Sequence, residues 1–225
     1  MFGRFNQRSY ELERLDKGEY TPAEYELWQH EMRFVHRFLG ENRALYRALM
    51  PEAKRLGGRF SVLDVGAGSG GLLTVLSGWA KNQKPFLVGA ELDSNAARSI
   101  NQRAISALQC DALSLPFEDD SFDFVICSLF LHHLVDDTVI GLLAEMKRVA
   151  RCRILAIDLH RSPIAYYFYK YVGSLFLQRF TVEDGSLSIL RAFKPSELEQ
   201  FALAAGLTEV SVRRSAAYRL VLSGK

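Results

Sequence analysis

The sequence predicts an α/β fold, a mostly parallel sheet with helices on both faces, and three observations carry that expectation. From Phe60 onward, short runs rich in β-branched and aromatic residues alternate with amphipathic stretches, the texture of repeated strand and helix units. One of these runs, SVLDV at 61–65, empties into Gly66-Ala67-Gly68-Ser69-Gly70-Gly71, a glycine-rich turn of the kind that joins a strand to a helix at a ligand-binding edge. Near the end of the chain, TEVSVRR (208–214) and AYRLVLS (217–223) lie too close together for a parallel crossover, so they pair as an antiparallel hairpin.

In chain order, Thr21 supplies an N-cap and Pro22 suits a first helical position. Leu27, Phe34, Phe38, Leu45 and Leu49 then recur near helical spacing, which predicts helix from about 21 to 56, punctuated by Pro51 and Gly57-Gly58. The domain boundary therefore falls near Gly58, with 1–58 as a helical lid and 59–225 as the ligand-binding domain. Strands are expected at 61–65, 86–91, 105–110, 122–128, 153–159, 208–214 and 217–223. Helices are expected at 69–82, 94–103, 136–150, within 162–180, and at 195–205, where Pro195-Ser196 forms a start signal.

The bulk composition narrows the function. A chain of 225 residues, 48% hydrophobic and 24% charged, can bury a full core, and a formal net charge of +2 offers no basic face for nucleic acid. Cys110, Cys127 and Cys152 form no C-x-x-C pair and lie in or beside apolar runs, which suits a reduced, cytoplasmic setting. The first twenty residues lack a signal-peptide core, and the longest apolar candidate is interrupted by Lys170, so no stable membrane insertion is expected. Small-molecule partners fit best; the oligomeric state is left open.

The glycine loop satisfies two patterns. Gly66, Gly68 and Gly71 fit G-x-G-x-x-G, a dinucleotide cradle, while Gly66, Gly68 and Gly70 fit G-x-G-x-G, which admits S-adenosylmethionine. Glu91 closes the next strand about 20 residues on, where a carboxylate can accept from both ribose hydroxyls of either ligand. The loop alone leaves an NAD-dependent oxidoreductase open.

The following segments discriminate. CDALSLPF (110–117), SFDFVI (121–126) and SLFLHHL (128–134) together resemble the class I S-adenosylmethionine-dependent methyltransferases, in the branch of the ubiquinone and menaquinone C-methyltransferases, over about residues 60–210. The resemblance implies a seven-stranded sheet ordered 3-2-1-4-5-7-6 with strand 7 antiparallel. It implies S-adenosyl-L-methionine as cofactor: Asp64, Gly66, Ala67, Gly68 and Gly70 at the methionine portion, Glu91 and Leu92 at the ribose, Asp111 and Ala112 at the adenine, and Ser128 lining the end of the fourth strand. Many relatives carry Asp where Glu91 stands. Asp111 also has a purely structural reading, as a turn cap before Pro116.

Methyl transfer from a sulfonium is an in-line displacement, so alignment dominates and a base matters when the acceptor is a hydroxyl or phenol. His132, His133 and His160 are the candidates, all expected at strand ends over one cleft; alternation along extended backbone allows at most one of the adjacent pair to face it. A loop-bracing role for these histidines is the bland alternative. No metal site is expected, because no H-x-x-x-H or similar spacing occurs. Cys127, inside an apolar strand, reads as packing.

The aromatic run 164–172 (IAYYFYKYV) reads as a wall for a flat or long-chain acceptor, or as a helix packed on the sheet. DGSLSILRAF (184–193), PSEL (195–198), AGL (205–207) and DLHRS (158–162) resemble bacterial methyltransferases associated with type III polyketide synthases. That implies a phenol, quinol or pyrone acceptor, O- or C-methylated, with Ser188, Arg191 and Phe193 near it. A catalytically silent binding protein of the same fold is a further alternative. A base-flipping DNA enzyme is disfavoured by the lack of a Pro-Pro-aromatic run after the fourth strand.

Overall fold

The structure, a computed structural model, describes residues 3–38 and 40–225, the side chains of 36–38 excepted. Strands β1 (Ser61–Val65), β2 (Phe86–Glu91), β3 (Ser106–Gln109), β4 (Phe122–Ser128), β5 (Ala150–Leu159), β6 (Ser211–Ser215) and β7 (Arg219–Gly224) form one sheet in the order β3-β2-β1-β4-β5-β7-β6. The first five pair in parallel, and β7 lies antiparallel between β5 and β6. Order, strand number and the terminal hairpin are those expected.

The strands are buried on both faces because their side chains alternate between two cores. In β4, Val125 and Cys127 face one core with Leu63, Ile154 and Ala156, while Phe124 and Ile126 face the other with Val62, Leu155 and Ile157. Helices α6 (Asp136–Val149) and α9 (Pro195–Ala204) close the first face; α4 (Gly71–Trp79) and α5 (Ser94–Asn101) help close the second. No helix among the described residues is long and apolar enough to cross a membrane.

The N-terminal region departs from expectation. The helix expected over 21–56 is two helices, which we number with the short turn before them: α1 (Arg14–Lys17), α2 (Pro22–Phe38) and α3 (Glu41–Arg55). Leu39 and the side chain of Phe38, both within the expected helix, lie outside the described residues. Gly40 sits at φ +81°, a left-handed conformation that no helix interior accepts, and it starts α3. Helix α3 runs through Pro51 instead of ending there, since Ala44, Leu45, Leu49, Met50 and Ala53 are buried against the sheet and outweigh the ~3 kcal/mol that proline costs inside a helix. It is therefore a layer of the core, and the segments before it are what lies over the sheet edge. Two more helices follow β5: α7 (Pro163–Gly173), and α8 (Arg179–Arg191), which the sequence did not announce.

Candidate active site

The carboxyl ends of β1, β2, β4 and β5 form one edge, and its two halves are built differently. On the β1 side, Gly66, Gly68 and Gly70 all have positive φ, whereas Gly71 does not. A Cβ at Gly66 would stand 2.9 Å from the Phe130 ring and one at Gly70 2.9 Å from Ile100, so these two are fixed by packing as well as by backbone conformation. Gly68 faces open space, as does Gly71. The third glycine of a dinucleotide loop serves close helix packing; Gly71 packs against nothing, and the backbone demands the other triplet.

Charge points the same way. Asp64 is 2% exposed, and burial pushes its carboxyl well above the usual range, with the charges of Glu41 and Glu91 adding to the effect. Glu41, at the start of α3, accepts from the Ser128 hydroxyl at 2.6 Å. Buried Arg219 faces Glu41 and offsets part of that charge. A ligand with a cationic ammonium and sulfonium fits this acidic floor, and a pyrophosphate dianion does not. Glu91 accepts from the Gly68 N–H at 2.7 Å and from Leu92 N–H at 2.9 Å, which ties the loop to the end of β2. Asp111 takes the Leu113 N–H at 2.9 Å, so the turn cap is present, on one carboxylate oxygen. Ala112 is half-buried beside it, and Ala67 closes the loop against Ala90 O.

On the β4 side, Leu129 takes φ +52° and the chain enters a 3-10 turn at Leu131–His133. That turn corrects the expectation of opposed histidines. Successive side chains of a tight helix diverge far less than those of a strand, and the His132 and His133 rings lie 4.2 Å apart. His132 is buried, with Nδ1 2.7 Å from Asp158 Oδ1 and its backbone N–H donating to Asp158 Oδ2 at 3.2 Å. Burial alone would raise the Asp158 carboxyl; the His132 ring and the Leu159 N–H outweigh it and hold it below its ordinary value. His133 is part-exposed, 3.5 Å from Asp16.

This half is closed by a strap, residues 3–17, which spacing arguments missed. Arg8 donates to Leu134 O at 2.9 Å and pairs with Asp136, its guanidinium 4.2 Å above the Phe193 ring. Buried Glu13 accepts the Ser188 hydroxyl at 2.7 Å, and Asp184 caps the Arg14 and Leu15 N–H groups, each at 2.9 Å. Arg161 reaches Phe5 O at 3.1 Å. The partners are more than a hundred residues apart in sequence, so no local pattern could reveal them.

Several of the expected residues have partners within the chain. Arg191, expected at the acceptor, spends its guanidinium on His132 O, His133 O, Glu11 O and Asp16, clamping the histidine turn to the strap. Phe193 is fully buried beneath Arg8, and Ser188 braces Glu13. His160 does not join the other two: its backbone pairs with Phe193 and Tyr218, its ring stacks on Tyr218, and burial and Arg214 lower its basicity. The aromatic run splits as helices do, with Tyr166 buried and Ile164, Phe168 and Tyr171 exposed. Cys127 is buried as expected, its thiol pushed up by burial.

Comparison with known proteins agrees with this geometry. Residues 63–159 match the family described as Methyltransferase domain. The chain is 28% identical to a demethylmenaquinone methyltransferase of Roseiflexus sp. (strain RS-1) over 168 residues, 67% of this chain and 69% of that protein. It is 33% identical to the Xenopus tropicalis tRNA (carboxymethyluridine(34)-5-O)-methyltransferase over 91 residues, 40% of this chain and 14% of that protein. The fold overlays human N-acetylserotonin methyltransferase, solved with its S-adenosylmethionine, at a TM-score of 0.64 and 16% identity, covering 97% of this chain and 62% of the other. By its sheet order, its glycine loop and these similarities, the chain carries a methyltransferase domain at residues 63–159 and resembles the class I S-adenosylmethionine-dependent methyltransferases, which supports an enzyme of methyl transfer.

Proposed function

We propose that the chain methylates a small aromatic or lipophilic acceptor of the phenol, quinol or pyrone class, on oxygen or carbon. The observation that carries this is the histidine turn, placed at the end of β4 beside β1 and oriented from β5 by Asp158. An alignment-driven displacement needs no such group; an acceptor that must lose a hydroxyl proton does. S-adenosylmethionine supplies the methyl group. Asp64 and the loop from Gly66 to Gly70 hold its methionine end, Glu91 and Leu92 the ribose, Asp111 and Ala112 the adenine, and Ser128 the junction with the acceptor. The strap, with α2, covers the acceptor and excludes water.

The demethylmenaquinone and N-acetylserotonin enzymes are named for small-molecule acceptors, which supports this class. The similarity to a tRNA enzyme reaches 40% of the chain, and a net charge of +2 provides little attraction for RNA phosphate. Incubation with labelled cofactor and a panel of phenols, quinols and pyrones tests the proposal. Transfer to a panel member is expected; transfer to none of them, with cofactor bound, removes its support.

A further inference from the structure

Glu13, His132 and His133 each present one ligating atom, and the three atoms lie within 4.8 Å of one another. Every one of these side chains is anchored from behind. Asp158 holds His132 through Nδ1 at 2.7 Å, Asp16 faces His133 Nδ1 at 3.5 Å, and the Ser188 hydroxyl holds Glu13 Oε1 at 2.7 Å. With Nδ1 of His132 held by Asp158 and Nδ1 of His133 facing Asp16, Nε2 of each ring would be the nitrogen that coordinates, and Glu13 would use the oxygen that Ser188 does not hold. We propose that Glu13, His132 and His133 bind one divalent transition-metal ion of the zinc class, fastening the strap to the sheet edge.

Two imidazoles and a carboxylate with a position left open are the donor set of a catalytic zinc-type centre, and carboxylates behind the histidines fix tautomer and ring orientation. Around a tetrahedral ion with bonds of about 2.0–2.2 Å, ligand atoms stand about 3.4 Å apart. The cluster closes to that spacing by drawing in about an ångström or so, and part-exposed His133 marks the way in. Spacing along the chain hid the site, since Glu13 is remote in sequence and the histidines are adjacent. The role of the ion rests on the acceptor proposed above, whose hydroxyl would give its proton to water as it enters beside the cation, the histidines then serving as ligands and not as the base; binding of the ion does not depend on the acceptor.

The test is titration of the chelator-treated full chain with Zn²⁺ and, for its visible bands, with Co²⁺. One ion per chain is expected, with a Tm rise of about 5–10 °C at a hundredfold excess over Kd. Glu13→Gln and His133→Gln, confirmed folded by circular dichroism, should weaken binding more than tenfold, and Asp16→Asn about tenfold. No stoichiometric ion, or affinity unchanged in both ligand variants, overturns the site. S-adenosylhomocysteine binding and the acceptor panel are run on the same samples. Methylation undiminished in metal-free protein overturns the role of the ion in the reaction and spares both the site and the acceptor class; an ion bound as described, with no acceptor methylated, overturns the acceptor class and spares the site.

Discussion

The two halves of the sheet edge reach order by different routes. Around β1 and β2 the structure is local: Glu91 reaches back 23 residues to Gly68, Asp111 reaches forward two to Leu113, and the glycines bend the chain where they stand. Around β4 and β5, Arg8 reaches Leu134 across 126 residues and Glu13 reaches Ser188 across 175. The half proposed for the cofactor is written in a motif, whereas the half proposed for the acceptor exists only after the chain has folded. A fold that must keep one ligand and vary another benefits from that division, since strap and α8 can change while the loop stays.

The largest way to break the second half is Arg191→Ala. Its guanidinium is buried on four partners, so its loss should cost about 3–5 kcal/mol in denaturant unfolding and free the histidine turn. A loss under ~1 kcal/mol would mean that the clamp is decorative. Gly66→Ala strikes the first half: with φ +70° and a Cβ driven into Phe130, it should cost about 1–3 kcal/mol and weaken S-adenosylhomocysteine binding. Glu91→Ala sharpens the comparison, because it should raise the Kd for S-adenosylhomocysteine about ten- to a hundredfold while leaving the strap in place, checked by proteolysis.

The smallest effect is a pH dependence. Burial alone would raise the Asp16 carboxyl, but the hydrogen bond and charge of His133, with Arg191, hold it at about 2. A carboxyl depressed on folding stabilises fully above its unfolded value near 3.8, and that contribution is lost as pH falls toward about 2. Asp16→Asn should therefore flatten the acid limb of stability between those values; thermal melts across that range, identical in both proteins, would remove the pair from the account.

The same division explains how much was legible. Strand positions and the loop followed from hydrophobic period and glycines, and sheet order from the family resemblance that the CDALSLPF and SLFLHHL segments carry, all signals contained within short windows. What escaped was long-range. Gly40 splits a helix that periodicity ran together, and Pro51 is overruled by packing on the sheet. Arg191 and Phe193 were placed at the acceptor by resemblance, but the strap occupies their side chains. The histidines turned together because the 3-10 turn replaced the extended backbone assumed for them. Within the loop itself the two readings differ at Gly71, whose backbone and surroundings ask for no glycine.

The most direct test of the two-part edge is calorimetric titration of the intact chain and of Asp16→Asn with S-adenosylhomocysteine, with NAD as the opposing ligand. One site per chain is predicted, with Kd values agreeing within about twofold because the strap lies outside the cofactor half, and NAD should give no heat. Binding of NAD, or loss of the S-adenosylhomocysteine site when Asp16 is changed, would contradict the account.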